Sequence, residues 1–183
     1  MKTAYVFFAN GFEEVEALAP VDVLRRAGLD VKMIAVSTTK QVIGAHGVCL
    51  LCDATIKETT FLEEATYILP GGMPGAQGLK DSKELADLLC RVAGKTYIAA
   101  ICAAPMVLGG LQLLKGKKAT CYPGFESYLE GANVVADKVV VDGLFITGKG
   151  PGAALEFALT ILAQLTSPAE AEELRKGMIV SYG

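Results

Sequence analysis

Four short apolar runs frame this chain: Thr3 to Phe8, Val31 to Val36, Ala65 to Leu69 and Tyr97 to Ile101. Each is apolar at nearly consecutive positions, the pattern of a strand covered on both faces. Helical patterns lie between and after them. From Val15 to Ala27, Leu18, Val21, Val23 and Leu24 fall near one face, and Gly28 is a stop. Ser82 to Val92 places Leu85, Leu88 and Leu89 on one side, and a further helix is expected from about Ala103 to Leu111. This strand–helix rhythm predicts an α/β fold, a mostly parallel sheet with helices on both faces. Val42 to Leu51, interrupted by glycine, reads as an extended excursion at a sheet edge. Val139 to Thr147 reads as a hairpin turning at Asp142-Gly143, a pair that tolerates the positive φ of a tight turn. Pro151 to Leu165 is expected to be helical, with proline in the first turn where its missing N–H costs nothing. A last helix is expected from Ala169 to Lys176.

With 183 residues, 52% of them hydrophobic, the chain can build one core without disulfide or metal staples, so residues 1–183 are read as a single domain. Twenty acidic residues against 17 basic ones give a net charge of −3, which argues against a nucleic-acid surface. No apolar run reaches the roughly 18 residues of a membrane-spanning helix. The apolar start ends in Asn10-Gly11-Phe12-Glu13-Glu14 with no small-residue cleavage site, so it is read as a first strand and the protein as cytoplasmic. Five cysteines, an odd number, suit free thiols in a reducing compartment.

In open parallel sheets, sites form beyond the carboxyl ends of the strands. There the sequence offers Glu13, Glu14 and Glu16 after the first run, Pro70-Gly71-Gly72-Met73-Pro74-Gly75 after the third, and Cys102 after the run at Tyr97. A strand that ends in a nucleophile opening a helix is a nucleophile elbow. Its sharp turn needs small residues two before and two after, and Ala100 and Ala104 stand there. The helix N-terminus is expected to lower the thiol pKa and to offer N–H groups to an oxyanion. A cysteine merely buried in a core would show the same letters, and spacing alone leaves both readings open. Gly71 and Gly72 can bring backbone N–H groups close to a bound oxygen, or can form an ordinary turn. Glu13 and Glu14 are accounted for as a solvated first helical turn, where acids are favoured. Glu16, further along, is the carboxylate able to turn inward.

Other motifs carry less. Cys49 and Cys52 have C-x-x-C spacing, but in an extended stretch positions three apart point to opposite faces. The same alternation splits the H-x-x-C-x-x-C ligands that His46, the chain's only histidine, would make with them, so no metal site is expected. Gly148-Lys149-Gly150-Pro151-Gly152 lacks the Lys-Ser/Thr order of a phosphate loop and is read as packing beside the site.

Taken together, several segments resemble the ThiJ/PfpI superfamily, in the branch of the Parkinsonism-associated deglycase, from about Thr3 to Leu165. They are Gly11-Phe12-Glu13-Glu14-Val15-Glu16, Leu69-Pro70-Gly71-Gly72, Gly75-Ala76-Gln77, Ala99-Ala100-Ile101-Cys102-Ala103-Ala104-Pro105 and Gly148-Lys149-Gly150-Pro151-Gly152. The resemblance implies a flavodoxin-like sandwich, usually a homodimer. It makes Cys102 the reactive, oxidisable thiol, Glu16 its protonated partner, and the N–H groups of Gly72 and Ala103, beside Gly71, the oxyanion site. One departure stands out. Where members with an accessory histidine place it before a proline, this chain has Tyr122-Pro123. Ala103 stands where the protease-like branch carries its catalytic histidine, so peptidase activity is not expected.

The branch is associated with glyoxalase and deglycase activity, oxidation sensing and chaperone behaviour. Bacterial relatives carry a thiamine-biosynthesis label that says little about chemistry. The expected function is therefore cofactor-independent turnover of a small aldehyde, such as methylglyoxal, or of a glycated substrate. A redox sensor or chaperone without turnover is the alternative.

Overall fold

The computed structural model describes residues 2–181, so Met1, Tyr182 and Gly183 of the expected 1–183 domain lie outside the described residues. In chain order the strands are β1 (Thr3–Phe8), β2 (Asp30–Ala35), β3 (Gln41–Ile43), β4 (Cys49–Leu51), β5 (Ala54–Thr55), β6 (Thr66–Leu69), β7 (Ile98–Ile101), β8 (Lys118–Ala119), β9 (Asn133–Val134), β10 (Val139–Asp142) and β11 (Phe145–Gly148). The helices are α1 (Glu14–Arg26), α2 (Gly75–Asp81), α3 (Lys83–Val92), α4 (Pro105–Gly110), α5 (Ala154–Leu165) and α6 (Pro168–Gly177).

Seven strands form the central sheet in the order β10-β11-β7-β6-β1-β2-β5. Every neighbouring pair is parallel except the β10–β11 hairpin. The fold is thus the expected α/β sandwich. Side-chain alternation divides each central strand between two cores. In β1, Ala4, Val6 and Phe8 join the cluster containing Leu24 of α1 and Phe157 of α5, while Tyr5 and Phe7 join the one containing Leu79 of α2, Leu85 of α3 and Leu108 of α4. Both clusters are buried, which is why the strand sequence is apolar at every position. No helix among the described residues is long and apolar enough to cross a membrane.

The Val42 to Leu51 excursion forms a hairpin outside the main sheet: β3 and β4 are an antiparallel pair of their own. This hairpin satisfies its backbone on the loop after β1, with Gly11 N–H donating to Ile43 O (2.7 Å) and Ala45 N–H to Phe12 O (2.8 Å). The Gly-rich segment after β6 is not all loop, because Gly75 opens α2. The helix after Cys102 is shorter than expected and begins only at Pro105.

Candidate active site

At the carboxyl ends of β1, β6 and β7, three turns close on one another. Glu13 caps α1, its side chain accepting from Glu16 N–H at 2.8 Å, while Glu13 N–H donates to Gly71 O at 2.9 Å. The cap aligns the first turn of α1 so that Glu16 faces inward, where it is fully buried. Gly71 N–H donates to Glu16 Oε2 at 2.9 Å. Glu16 Oε1 is buried without a conventional hydrogen-bond partner.

Cys102 follows β7 directly and lies in the left-handed region, with φ 64°. A non-glycine residue is strained there and persists only when its surroundings hold it. Two hydrogen bonds do so: Cys102 N–H donates to Gly148 O (2.9 Å), and Tyr122 N–H donates to Cys102 O (2.8 Å). Ala100 and Ala104, two residues either side, are completely buried. Gly71 completes the contact by its lack of a side chain. A Cβ there would lie 2.6 Å from both Cys102 Cβ and Glu16 Oε2. Gly72 adopts φ 87°, a conformation that favours glycine.

The electrostatics of the pair follow from this burial. Desolvation pushes the Glu16 carboxyl up to about 7; the hydrogen bond with Cys102 offsets part of the rise, and the charge of Glu13 adds to it. The Cys102 thiol is pushed up to about 12, first by desolvation and then by the charge and hydrogen bond of Glu16. Hydrogen bonds from the Gly72 and Ala103 N–H groups to the sulfur pull the other way. The expectation of a depressed thiol pKa is therefore overturned: burial beside a carboxylate outweighs two backbone donors. Burial and the neighbouring carboxylate thus both favour the protonated thiol.

The structure thus brings Cys102, Glu16, Gly71, Gly72 and Ala103 together. Tyr122 joins them through its backbone, while its ring is 46% exposed and leans on Gly150. Cys49 is exposed and Cys52 buried, so they do not form a dithiol site. His46 holds a contact that the sequence did not announce. Its N–H donates to Glu14 Oε1 at 2.7 Å and its Nδ1 lies 2.8 Å from Glu14 Oε2. Burial raises the Glu14 carboxyl, but these bonds outweigh it and hold its pKa below the ordinary value. Glu13, Glu14 and His46 place ligand atoms within 4.8 Å of one another, yet the cap and the His46 contacts already engage the carboxylates. A hollow of about 630 Å³ lies at the opposite end of the sheet, by Thr66, Lys95 and Thr96. Its polar groups are used internally, in a Lys95–Glu63 ion pair (3.0 Å) and a Thr96 Oγ1 bond to Ala65 O (2.9 Å).

Fold and site together describe a flavodoxin-like α/β protein with a cysteine on a strained strand-to-helix turn beside a buried acid. Comparison with known proteins agrees: the profile of the DJ-1/PfpI family matches residues 2–164, and the chain belongs to that family. It is 38% identical over 177 residues to Protein DJ-1 homolog A of Arabidopsis thaliana, covering 94% of this chain but only 45% of that protein's length. It is 35% identical over 172 residues to a glutathione-independent glyoxalase, DJR-1.2, of Caenorhabditis elegans, covering 92% of this chain and 91% of that one. The structure of Toxoplasma gondii DJ-1 in an oxidized form superposes with a TM-score of 0.93 at 34% identity, covering 100% of both chains.

Proposed function

We propose that this protein converts small α-oxoaldehydes to hydroxy acids, with Cys102 as nucleophile and Glu16 as proton carrier. The observation that supports this best is Glu16 itself: a fully buried carboxyl set against the thiol, held by Gly71 N–H at 2.9 Å and pushed up to about 7 by desolvation. A general base is most effective when its pKa lies near the working pH. Ionised Glu16 takes the thiol proton as sulfur adds to the aldehyde carbon, so no preformed thiolate is required. The N–H groups of Gly72 and Ala103 meet the oxygen that gains charge, and Glu16 returns its proton there to give a hemithioacetal. Glu16 then removes the C–H proton of the former aldehyde carbon and delivers it to the neighbouring carbon, while the hemithioacetal hydroxyl proton passes to the ketone oxygen, so that the former ketone becomes a hydroxyl and the carbon on sulfur becomes the carbonyl of a thioester. Water cleaves the thioester, giving the acid its hydroxyl and the sulfur its proton. The net change is one methylglyoxal plus one water to one lactate and one proton. The C. elegans relative's name points to the same class of reaction.

A second reading, oxidation sensing, is supported by the same two N–H groups. With protonated Glu16 they form a donor set suited to the oxygens of a sulfinate. Lactate formation from methylglyoxal without glutathione, abolished in Cys102→Ser, is the expected result. Absence of lactate from wild-type protein, alongside peroxide-driven gain of two oxygens at Cys102, would replace the first reading with the second.

A further inference from the structure

A hollow of about 300 Å³ that the proposed reaction does not use lies between two segments that adjoin the Cys102 backbone. Its walls are the two segments hydrogen-bonded to the Cys102 backbone: Tyr122-Pro123 on one side and Lys149 to Ala153, just after Gly148, on the other. The Tyr122 ring stands over Gly150, where a Cβ would lie 3.2 Å from its Cδ2. Pro123, Pro151 and Ala153 make the rest of the lining largely apolar, and two ammonium groups, Lys138 and Lys149, border it. Lys149 is half-buried, and its Nζ donates to Ala136 O at 3.0 Å. Among the described residues neither lysine has a carboxylate partner.

An apolar recess walled by a tyrosine, with unpaired cations at its border, is shaped for a flat apolar body that ends in an anion. We propose that this hollow is a substrate subsite, and that the preferred substrates are aryl or extended α-oxoaldehydes carrying a carboxylate. The apolar body lies against Tyr122 and Pro151, and the carboxylate meets Lys149 and Lys138. The subsite rests on the reading of Cys102 as the group that attacks carbonyls.

The test compares kcat/KM for 4-carboxyphenylglyoxal and phenylglyoxal, which differ in the remote charge. In wild-type protein the carboxylated compound should be favoured by roughly fivefold, the scale of partly exposed charge pairs. The preference should fall to about one in the Lys138→Gln/Lys149→Gln double variant, and should shrink in high salt. Equal rates in the wild type, or a preference that survives in the double variant, would overturn the proposal. Should neither glyoxal turn over, the carbonyl reaction fails while the subsite is still tested by alkylation of Cys102. The rate ratio of iodoacetate to iodoacetamide should then drop severalfold in the double variant. Because both reagents report on the same thiol, any change in its pKa cancels, and an unchanged ratio would rule the anion subsite out.

Discussion

Glu16 and Cys102 meet across Gly71, at a point where one added carbon would lie 2.6 Å from Glu16 Oε2 and from Cys102 Cβ alike. The absence of a side chain on β6's following turn is what lets an acid from α1 and a thiol from the end of β7 become neighbours. Gly71 then uses its N–H to hold the acid it admits.

Gly71→Ala should therefore separate the pair more than it unfolds the chain. Overpacking of this kind costs roughly 1–3 kcal/mol, because neighbours on two elements must shift. Lactate formation should fall by at least about a hundredfold, the scale of losing positioned proton transfer, while circular dichroism retains the α/β spectrum. Near-normal turnover in Gly71→Ala would show that the contact is not required.

Glu16→Gln should move two properties of Cys102 in opposite directions. The charge and hydrogen bond of Glu16 both raise the thiol pKa, so the neutral amide should lower it and speed alkylation by iodoacetamide at pH 7. Turnover of methylglyoxal should nevertheless be lost, since an amide cannot carry the proton. Full activity in Glu16→Gln would end the mechanism proposed above.

The same acid makes stability depend on pH. A carboxyl with ordinary value 4.5 and a folded value of about 7 keeps its proton in the folded protein after the unfolded chain has released it. Between those values the folded state binds more protons, so stability falls as pH rises. The loss amounts to at most about 3 kcal/mol and is complete above about pH 7. Urea midpoints measured from pH 5 to 8 should decline in the wild type and decline less in Glu16→Gln. Parallel slopes would mean that Glu16 is not the group responsible.

Much of this arrangement was legible as sequence. Ala4, Val6 and Phe8 alternate with Tyr5 and Phe7 between two cores, so an unbroken apolar run marked β1 without any structure. The two alanines flanking Cys102 marked the turn. Other features were hidden for physical reasons. Gly75 and Gly78 lower the helix propensity of α2, which forms because Ala76 and Leu79 are buried by tertiary packing. The bond between His46 and Glu14 joins residues 32 apart in sequence, and no local pattern encodes it. The direction of the Cys102 shift depends on how fully Glu16 and the thiol are removed from water, a quantity that spacing does not contain.

A homodimer is expected from the surface that the β3–β4 hairpin adds. Val15 on α1 and Ile43, Val48 and Leu51 on or beside the hairpin are 53%, 49%, 44% and 72% exposed, a concentration of large apolar side chains around one feature. Light scattering at micromolar concentration should give twice the chain mass of 19.2 kDa. Ile43→Asp with Leu51→Glu should return the monomer by placing charges at that surface. A wild-type monomer would leave this apolar surface without the proposed partner.

Tyr122 offers the sharpest test of how much Glu16 does alone. Its N–H holds the Cys102 carbonyl at 2.8 Å, and its ring stands exposed beside Gly150. A phenol with a reference pKa near 10 is a poor base at neutral pH, whereas imidazole titrates near 6.5. Tyr122→His keeps the backbone bond and adds a second proton acceptor, so methylglyoxal turnover should rise by roughly 10- to 100-fold, the lower range for a placed base. An imidazolium there should also favour the thiolate, seen as faster alkylation of Cys102 below pH 7. In combination with Glu16→Gln the gain should vanish, because the C–H proton still has no carrier. The decisive measurement is the initial rate of lactate formation for the wild type, Tyr122→His and the double variant at matched pH. Tyr122→His no faster than wild type, with Glu16→Gln inactive, would assign the whole proton transfer to Glu16. Lactate formation restored in the double variant would instead show that a base on the Tyr122 side can do the work assigned to the buried acid.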